Sequence, residues 1–295
     1  MVTLQNDLLK IRINTTGAEL CEIVSTKNGT QFMWDANPDI WANFAPNLFP
    51  IVGGLKDETY HFEGESYQLL KHGFIRKNTH FQVVEESIES VTFRLQYNAE
   101  TFKMYPFKFE FFVTYCLSDT KLHITYKIVN IDIKPLYFSV GGHPAFKCPV
   151  FEGETYEDYS LVFETDETSK THLLNLQTGL LTSETKAVFD SPKTIRLHAE
   201  IFNHDALIFK DLKSRKVTLN SNLRGPILTV HYQDFPYLGL WAKPNAKYVC
   251  IEPWLGIADS EDTNQELTSK EGIINLPAGE TFRVTYTVEI HPPHL

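Results

Sequence analysis

The sequence predicts an all-β protein built from antiparallel sheets. Apolar and polar residues alternate in repeated short runs rich in aromatic and β-branched side chains, which is the pattern of half-buried strands. Turn-forming residues separate these runs, and helical periodicity is scarce. Strands at this spacing with few helices imply antiparallel sheets packed face to face or closed as a barrel. The 295 residues hold no Pro/Ser-rich linker, low-complexity tract or clear repeat, so one domain over 1–295 is the economical expectation.

Taken in chain order, Leu9, Ile11 and Ile13 alternate with Lys10, Arg12 and Asn14. Lys27-Asn28-Gly29 then reads as a turn, and Asn37-Pro38-Asp39 as the start of a short helical turn reaching Phe44, the best helix candidate. Glu63-Gly64-Glu65 marks another turn. Alternation returns in Val91, Phe93, Leu95 and Tyr97, and again in Phe109, Phe111, Val113, Tyr115 and Leu117. Ser118-Asp119 turns the chain into Leu122, Ile124, Tyr126 and Ile128. After Pro277-Ala278-Gly279, a last run carries Phe282, Val284, Tyr286, Val288 and Ile290.

Composition removes several function classes. A formal net charge of -10 argues against a nucleic-acid partner, which would require clustered Lys and Arg. No stretch approaches the roughly 20 apolar residues of a membrane span. The N-terminal residues Met1 to Asn14 lack a basic segment followed by an apolar run, so no secretion signal is expected. Cys21, Cys116, Cys148 and Cys250 are widely spaced and form no CxxC pair. Reduced, buried thiols in a cytoplasmic protein are the plain expectation, with neither a disulfide framework nor a cysteine metal site. His291 and His294 in the terminal HPPHL lack a third ligand and read as a solvated tail. The pairs Gly53-Gly54 and Gly141-Gly142 open no helix and carry no Lys-Ser/Thr ending, which excludes phosphate loops, and no GxSxG elbow supports an esterase.

Three segments break the alternation. In Val140-Gly141-Gly142-His143-Pro144-Ala145-Phe146 the glycine pair ends a strand Leu136 to Val140, either to turn tightly or to approach a ligand. His143, stiffened by Pro144, is either a strand cap or a functional group. In Cys250-Ile251-Glu252-Pro253-Trp254-Leu255-Gly256, Glu252 ends a strand from Lys247 and shares a face with Tyr248 and Cys250, while Val249 and Ile251 point the other way. Both faces are apolar, so the strand is central, and a carboxylate there needs hydrogen bonds or a function. In Lys71-His72-Gly73-Phe74-Ile75-Arg76, His72 falls in a loop and is uninformative alone.

Together these segments resemble the aldose 1-epimerase (galactose mutarotase) family, and more narrowly its bacterial branch associated with lactose and tagatose utilisation genes. The resemblance runs along nearly the whole chain through Asn47-Leu48-Phe49-Pro50-Ile51-Val52-Gly53, His72-Gly73-Phe74, Tyr105-Pro106-Phe107, Gly142-His143-Pro144-Ala145-Phe146, Asp205-Ala206-Leu207-Ile208-Phe209 and Ile251-Glu252-Pro253-Trp254. It implies a large antiparallel β-sandwich of the galactose mutarotase type, acting on a small-molecule aldose without cofactor or metal, as a monomer or homodimer. It also implies that Glu252 is a general base, His143 a general acid, and His72 a second histidine on the ring-oxygen side of the sugar. By the same resemblance Asp205 binds sugar hydroxyls, with Trp241 and Arg76 as further pocket residues. One departure stands out: many relatives carry an arginine just after the Phe-Pro-x-Val-Gly run, where this chain has Gly54.

Three rival readings remain at this level. A non-catalytic sugar-binding protein could use the same sandwich. A hexose-phosphate mutarotase would need converging cations, for which Arg76 with Lys71 or Lys77 are the candidates. A glycosidase would need paired carboxylates, for which only Glu252 and Asp205 offer themselves. Trp254 reads equally as a sugar-stacking ring or as core packing.

Overall fold

The alternating runs become strands at the predicted places, and each buries its apolar face. In the computed structural model, which describes residues 1–295, Phe109–Ser118 and Lys121–Asn130 form a ten-residue antiparallel hairpin with Phe111, Ile124, Tyr126 and Ile128 fully buried. Thr281–Ile290 pairs on the other side of Lys121–Asn130. These strands are the middle of a nine-stranded sheet, which runs outward through Ser90–Gln96 to an edge at Gln82–Glu86 and, the other way, through Gly225–His231, Lys216–Ser221 and Tyr159–Phe163 to Thr194–Arg196. Every pairing between adjacent strands of this sheet is antiparallel.

A second, eight-stranded sheet carries Leu181–Lys186, Thr171–Leu174, Leu207–Phe209, Tyr237–Trp241, Tyr248–Leu255, Val140–Gly142 and Asn47–Leu48 in that order, with Ala145–Lys147 also paired to Tyr248–Leu255. Its inner face meets the nine-stranded sheet through one continuous apolar core that includes Val113, Tyr126, Leu240, Val249 and Ile251. Asn47 ties the sheets together: its amide donates to the carbonyls of Gly17 and Ala18 at 3.0 Å and accepts from the Tyr126 hydroxyl at 2.8 Å. The buried amide is thereby satisfied rather than costly. A smaller apolar cluster, with Leu48, Ile208, Trp254 and Ala258, lies apart from the main core on the opposite face of the eight-stranded sheet. Of the two arrangements the alternation allows, the sheets adopt the face-to-face sandwich, the form the resemblance implies, and not a closed barrel.

Local expectations fare unevenly. The turns at Asn28, Gly64, Asp119 and Gly279 are present. Around Asn37 the chain makes only a turn, with the Ile40 and Trp41 N–H groups both donating to the Asn37 carbonyl. The α-helix lies instead at Ala99–Met104, started by a capping box in which Asn98 accepts from the Glu100 and Thr101 N–H groups. The glycine pair belongs to a strand rather than following one that runs unbroken from Leu136 to Val140. Ser139 makes the break, and Val140–Gly142 pairs with Leu255 and Trp254 on one side and with Leu48 and Asn47 on the other. The terminal histidines are not a solvated tail: His294 is buried, its Nε2 lies 2.9 Å from the Pro226 carbonyl, and His291 Nε2 is 2.9 Å from Thr229. All four cysteines are free, and Cys116 is only half-buried, unlike Cys21, Cys148 and Cys250. No helix is long and apolar enough to cross a membrane.

Candidate active site

The strand Tyr248–Leu255 is central, as its two apolar faces require, and runs three residues further than predicted. Its neighbours are Tyr237–Trp241 on one side and the interrupted pair Val140–Gly142 and Ala145–Lys147 on the other. Register decides what stands beside Glu252. Gly141 pairs with Trp254 and Ala145 with Cys250, so His143 sits directly opposite Glu252 where Pro144 interrupts the ladder. On the other flank the partner of Glu252 is Gly239.

Both glycines serve close approach. A Cβ at Gly141 would lie 2.8 Å from Trp254 Cδ1, and one at Gly239 would lie 2.6 Å from Trp254 Cζ2. The Trp254 indole therefore lies across its own sheet, in space that two neighbouring strands leave open. Trp254 both packs in the outer apolar cluster and lines the cavity, so its two sequence readings are not exclusive.

The cavity, of about 250 Å³, opens on the outer face of the eight-stranded sheet and is sized for a small ligand. The structure brings together all six residues singled out in the sequence: Glu252, His143, His72, Asp205, Arg76 and Trp241 line this one cavity. Lys71 lines it too, whereas Lys77 does not. Glu252 Oε2 lies 3.1 Å from His143 Nε2, in a contact not aligned as a hydrogen bond. Glu252 is 1% exposed and His143 8%, and burial disfavours charge on both. Burial raises the Glu252 carboxyl well above the usual carboxylate range; the neighbouring Lys71 charge and the Trp254 indole oppose the rise, and Asp205 adds to it. Burial likewise pushes the His143 imidazole down to about 3. The Trp254 N–H, close enough to act on Glu252, has no formed hydrogen bond.

His143 is held from several sides. Its N–H donates to the Pro46 carbonyl at 3.0 Å, and its ring stacks on Trp41 with centroids 5.0 Å apart. Trp241 meets the same ring edge-on at 5.8 Å. Trp41 escaped the sequence reading because it lies in an irregular stretch where neither period applies.

His72 adopts φ +69°, a left-handed conformation that costs of order 1 kcal/mol for a non-glycine residue. Reciprocal bonds hold it there: the His72 N–H donates to the Gly53 carbonyl at 2.9 Å, and the Gly53 N–H donates to His72 Nδ1 at 3.1 Å. Burial, then the nearby His143, Lys71 and Arg76, hold its pKa well below the ordinary histidine value. A neutral ring accepting at Nδ1 carries its proton on Nε2, so His72 is a hydrogen-bond donor with no capacity to take a proton there. Asp205 also has φ +69°, and its Oδ1 accepts from the Ala206 N–H at 2.7 Å.

Behind the cavity wall, Lys270 Nζ and Asp259 Oδ1 form a buried ion pair at 2.6 Å. Asp259 also accepts from the Lys56 N–H, and its own N–H donates to the Gly54 carbonyl. This clamp fixes the Gly53-Gly54 segment that supports His72, and nothing in the local sequence pattern announces it. Cys250 completes a trio with His143 and Glu252 whose ligand-type atoms lie within 4.8 Å of one another. Burial pushes its thiol up, away from the thiolate a metal would require.

A small cavity with a buried carboxyl facing an imidazole holds the two kinds of group that proton transfer on a small molecule needs. A sequence model of aldose 1-epimerases matches residues 1–289, and the chain belongs to that family. It is 34% identical over 297 residues to the plasmid-borne protein LacX of Lactococcus lactis subsp. lactis, covering 98% of this chain and 99% of that one. Among solved structures, a galactose mutarotase related enzyme from Lactobacillus acidophilus superposes with a TM-score of 0.92 at 37% identity, over 98% of this chain and 97% of the other. A galactose mutarotase-like protein from Lactobacillus casei ATCC 334 gives the same TM-score at 28% identity, over 99% and 100%.

Proposed function

We propose that this protein is a cytoplasmic mutarotase, which interconverts the α and β anomers of a hexose by acid/base opening and closing of the ring. The observation that carries the reading is the Glu252–His143 pair, set opposite each other by strand register, 3.1 Å apart, in a cavity of sugar size. Opening a hemiacetal removes a proton from the C1 hydroxyl and delivers one to the ring oxygen, so two groups must act on one ring.

The pair does this with a single proton of its own. With Glu252 ionised and His143 protonated, Glu252 takes the C1 hydroxyl proton while His143 gives its proton to the ring oxygen. The C1–O5 bond breaks, leaving an aldehyde, a neutral Glu252 and a neutral His143. Burial favours these same neutral forms, so the site stabilises the open-chain state. Rotation about C1–C2 presents the other aldehyde face. Closure then returns a proton from Glu252 to O1 and from the ring hydroxyl to His143. His72, a donor at Nε2, holds the ring-oxygen side; Asp205 accepts from sugar hydroxyls; Trp241 offers an apolar face for stacking.

The test is polarimetry on freshly dissolved α-glucose and α-galactose. Glu252→Gln and His143→Asn should each lower kcat by about a hundred- to ten-thousand-fold with the fold retained. Near-normal turnover in either variant would remove that residue from its role. No acceleration by the unsubstituted protein, joined to measurable sugar binding, would favour a non-catalytic receptor.

A further inference from the structure

Two cations enter the cavity on one loop. Lys71 and Arg76 flank His72, and both side chains line the cavity. Their charges are felt at the catalytic pair: Lys71 acts on Glu252, and Lys71 and Arg76 both act on His72 and His143. Arg12, Arg94, Arg196 and Arg224 each pair with a carboxylate. Arg76 is half-buried, faces the cavity and has no ion pair or hydrogen bond of its own. The acid nearest in effect is Glu19, whose Oε1 is already bound by the Phe44 and Ala45 N–H groups at 2.8 and 3.0 Å.

An exposed lysine without a partner is ordinary; a half-buried arginine facing a cavity without one is not. Desolvating a guanidinium without a counter-charge is unfavourable unless a ligand supplies that charge. The same cavity is open at Gly54, where a Cβ would meet only the Gly179 carbonyl, at 3.9 Å. The chain as a whole carries -10, and against it the loop Lys71 to Lys77 is a local excess of positive charge.

We infer that the preferred substrate is a phosphorylated aldose, a hexose phosphate whose dianionic ester is gripped by Arg76 and Lys71 while C1 and the ring oxygen meet Glu252 and His143. The inference rests on the mutarotase reading above and adds the substrate class. Arg76 presents a planar fork suited to two phosphate oxygens, and Lys71 a mobile point charge at the mouth. Asp205 limits the charge the cavity accepts and directs the neutral, hydroxyl-bearing part of the sugar to itself.

The experiment measures anomer exchange by exchange NMR for glucose, galactose, their 6-phosphates and a hexuronate, with the unsubstituted protein and with Lys71→Ser, Arg76→Gln and Glu252→Gln. The expected result is a kcat/KM at least about tenfold higher for the phosphate esters, with the ester-to-free ratio falling about 10- to 100-fold in Arg76→Gln and less in Lys71→Ser. The ratio should also shrink as salt is raised. An ester-to-free ratio at or below unity, or one that neither substitution changes, overturns the inference while leaving the mutarotase reading intact. Exchange of the hexuronate at the rate of the esters overturns the assignment to phosphate. If no sugar is accelerated, the mutarotase reading fails. Tryptophan fluorescence titration then decides the anion site alone: tighter binding of hexose 6-phosphate than hexose, weakened by Arg76→Gln, upholds it, and equal binding overturns it.

Discussion

Two buried groups 3.1 Å apart titrate as a pair, so the useful quantity is the number of protons they hold together. The reaction proposed above uses the pair with one proton, and burial widens the range over which it keeps that one. His143 resists a second proton until about 3, and Glu252 holds its own well above the ordinary carboxylate range. The same burial has a stability cost with a definite sign. Glu252 is raised in the folded state, so its favourable contribution is complete below about 4.5 and drains away as pH climbs towards the folded value. Glutamine carries no such dependence. Glu252→Gln should therefore melt higher than the unsubstituted protein, by a margin that widens as pH rises from about 5 towards the raised folded value, at up to about 1.4 kcal/mol per pH unit. Thermal melts across that range would contradict this if the margin stayed constant. His143 acts oppositely: its contribution is present above the ordinary histidine value and is lost as pH falls towards about 3.

Individual strands were largely legible from sequence, because a period of two needs only neighbouring residues to be visible. The face shared by Tyr248, Cys250 and Glu252 could be assigned that way, and the strand is central as its two apolar faces demand. What could not be read was which residue stands across from Glu252. That depends on a register between segments more than a hundred residues apart, and on Pro144 breaking the ladder where His143 falls. For the same reason the Gly141-Gly142 pair looked like the end of a strand, when Gly141 is an interior position that, with Gly239 on the other flank, makes room for Trp254. Gly239→Ala tests this. An alanine in a strand interior ordinarily stabilises relative to glycine. Here its Cβ would meet the Trp254 ring at 2.6 Å, so we expect a loss of about 1–3 kcal/mol and at least a tenfold drop in kcat/KM as Trp254 presses towards Glu252. A higher melting temperature with unchanged turnover would show that the indole has slack.

At the scale of the molecule the two sheets divide the work. The core between them is aromatic and continuous; Phe49, fully buried, touches the rings of Tyr105, Phe109, Phe111 and Phe138. Phe49→Ala should cost about 3–5 kcal/mol in denaturant unfolding. Trp241, half-exposed at the cavity, should be different: Trp241→Ala is expected to leave the unfolding midpoint almost in place while weakening sugar binding, and a large shift in midpoint would argue that it is a core residue. The sandwich itself was legible because its core obeys one rule throughout. The Asp259–Lys270 clamp and the stacking of Trp41 on His143 were not, since both arise from irregular chain that only the folded sheets bring together. The cavity lies on the outer face of its sheet, away from the seam that holds the protein together. Loops and rim residues around the cavity can therefore change, and with them the ligand it accepts, with little risk of losing the ability to fold.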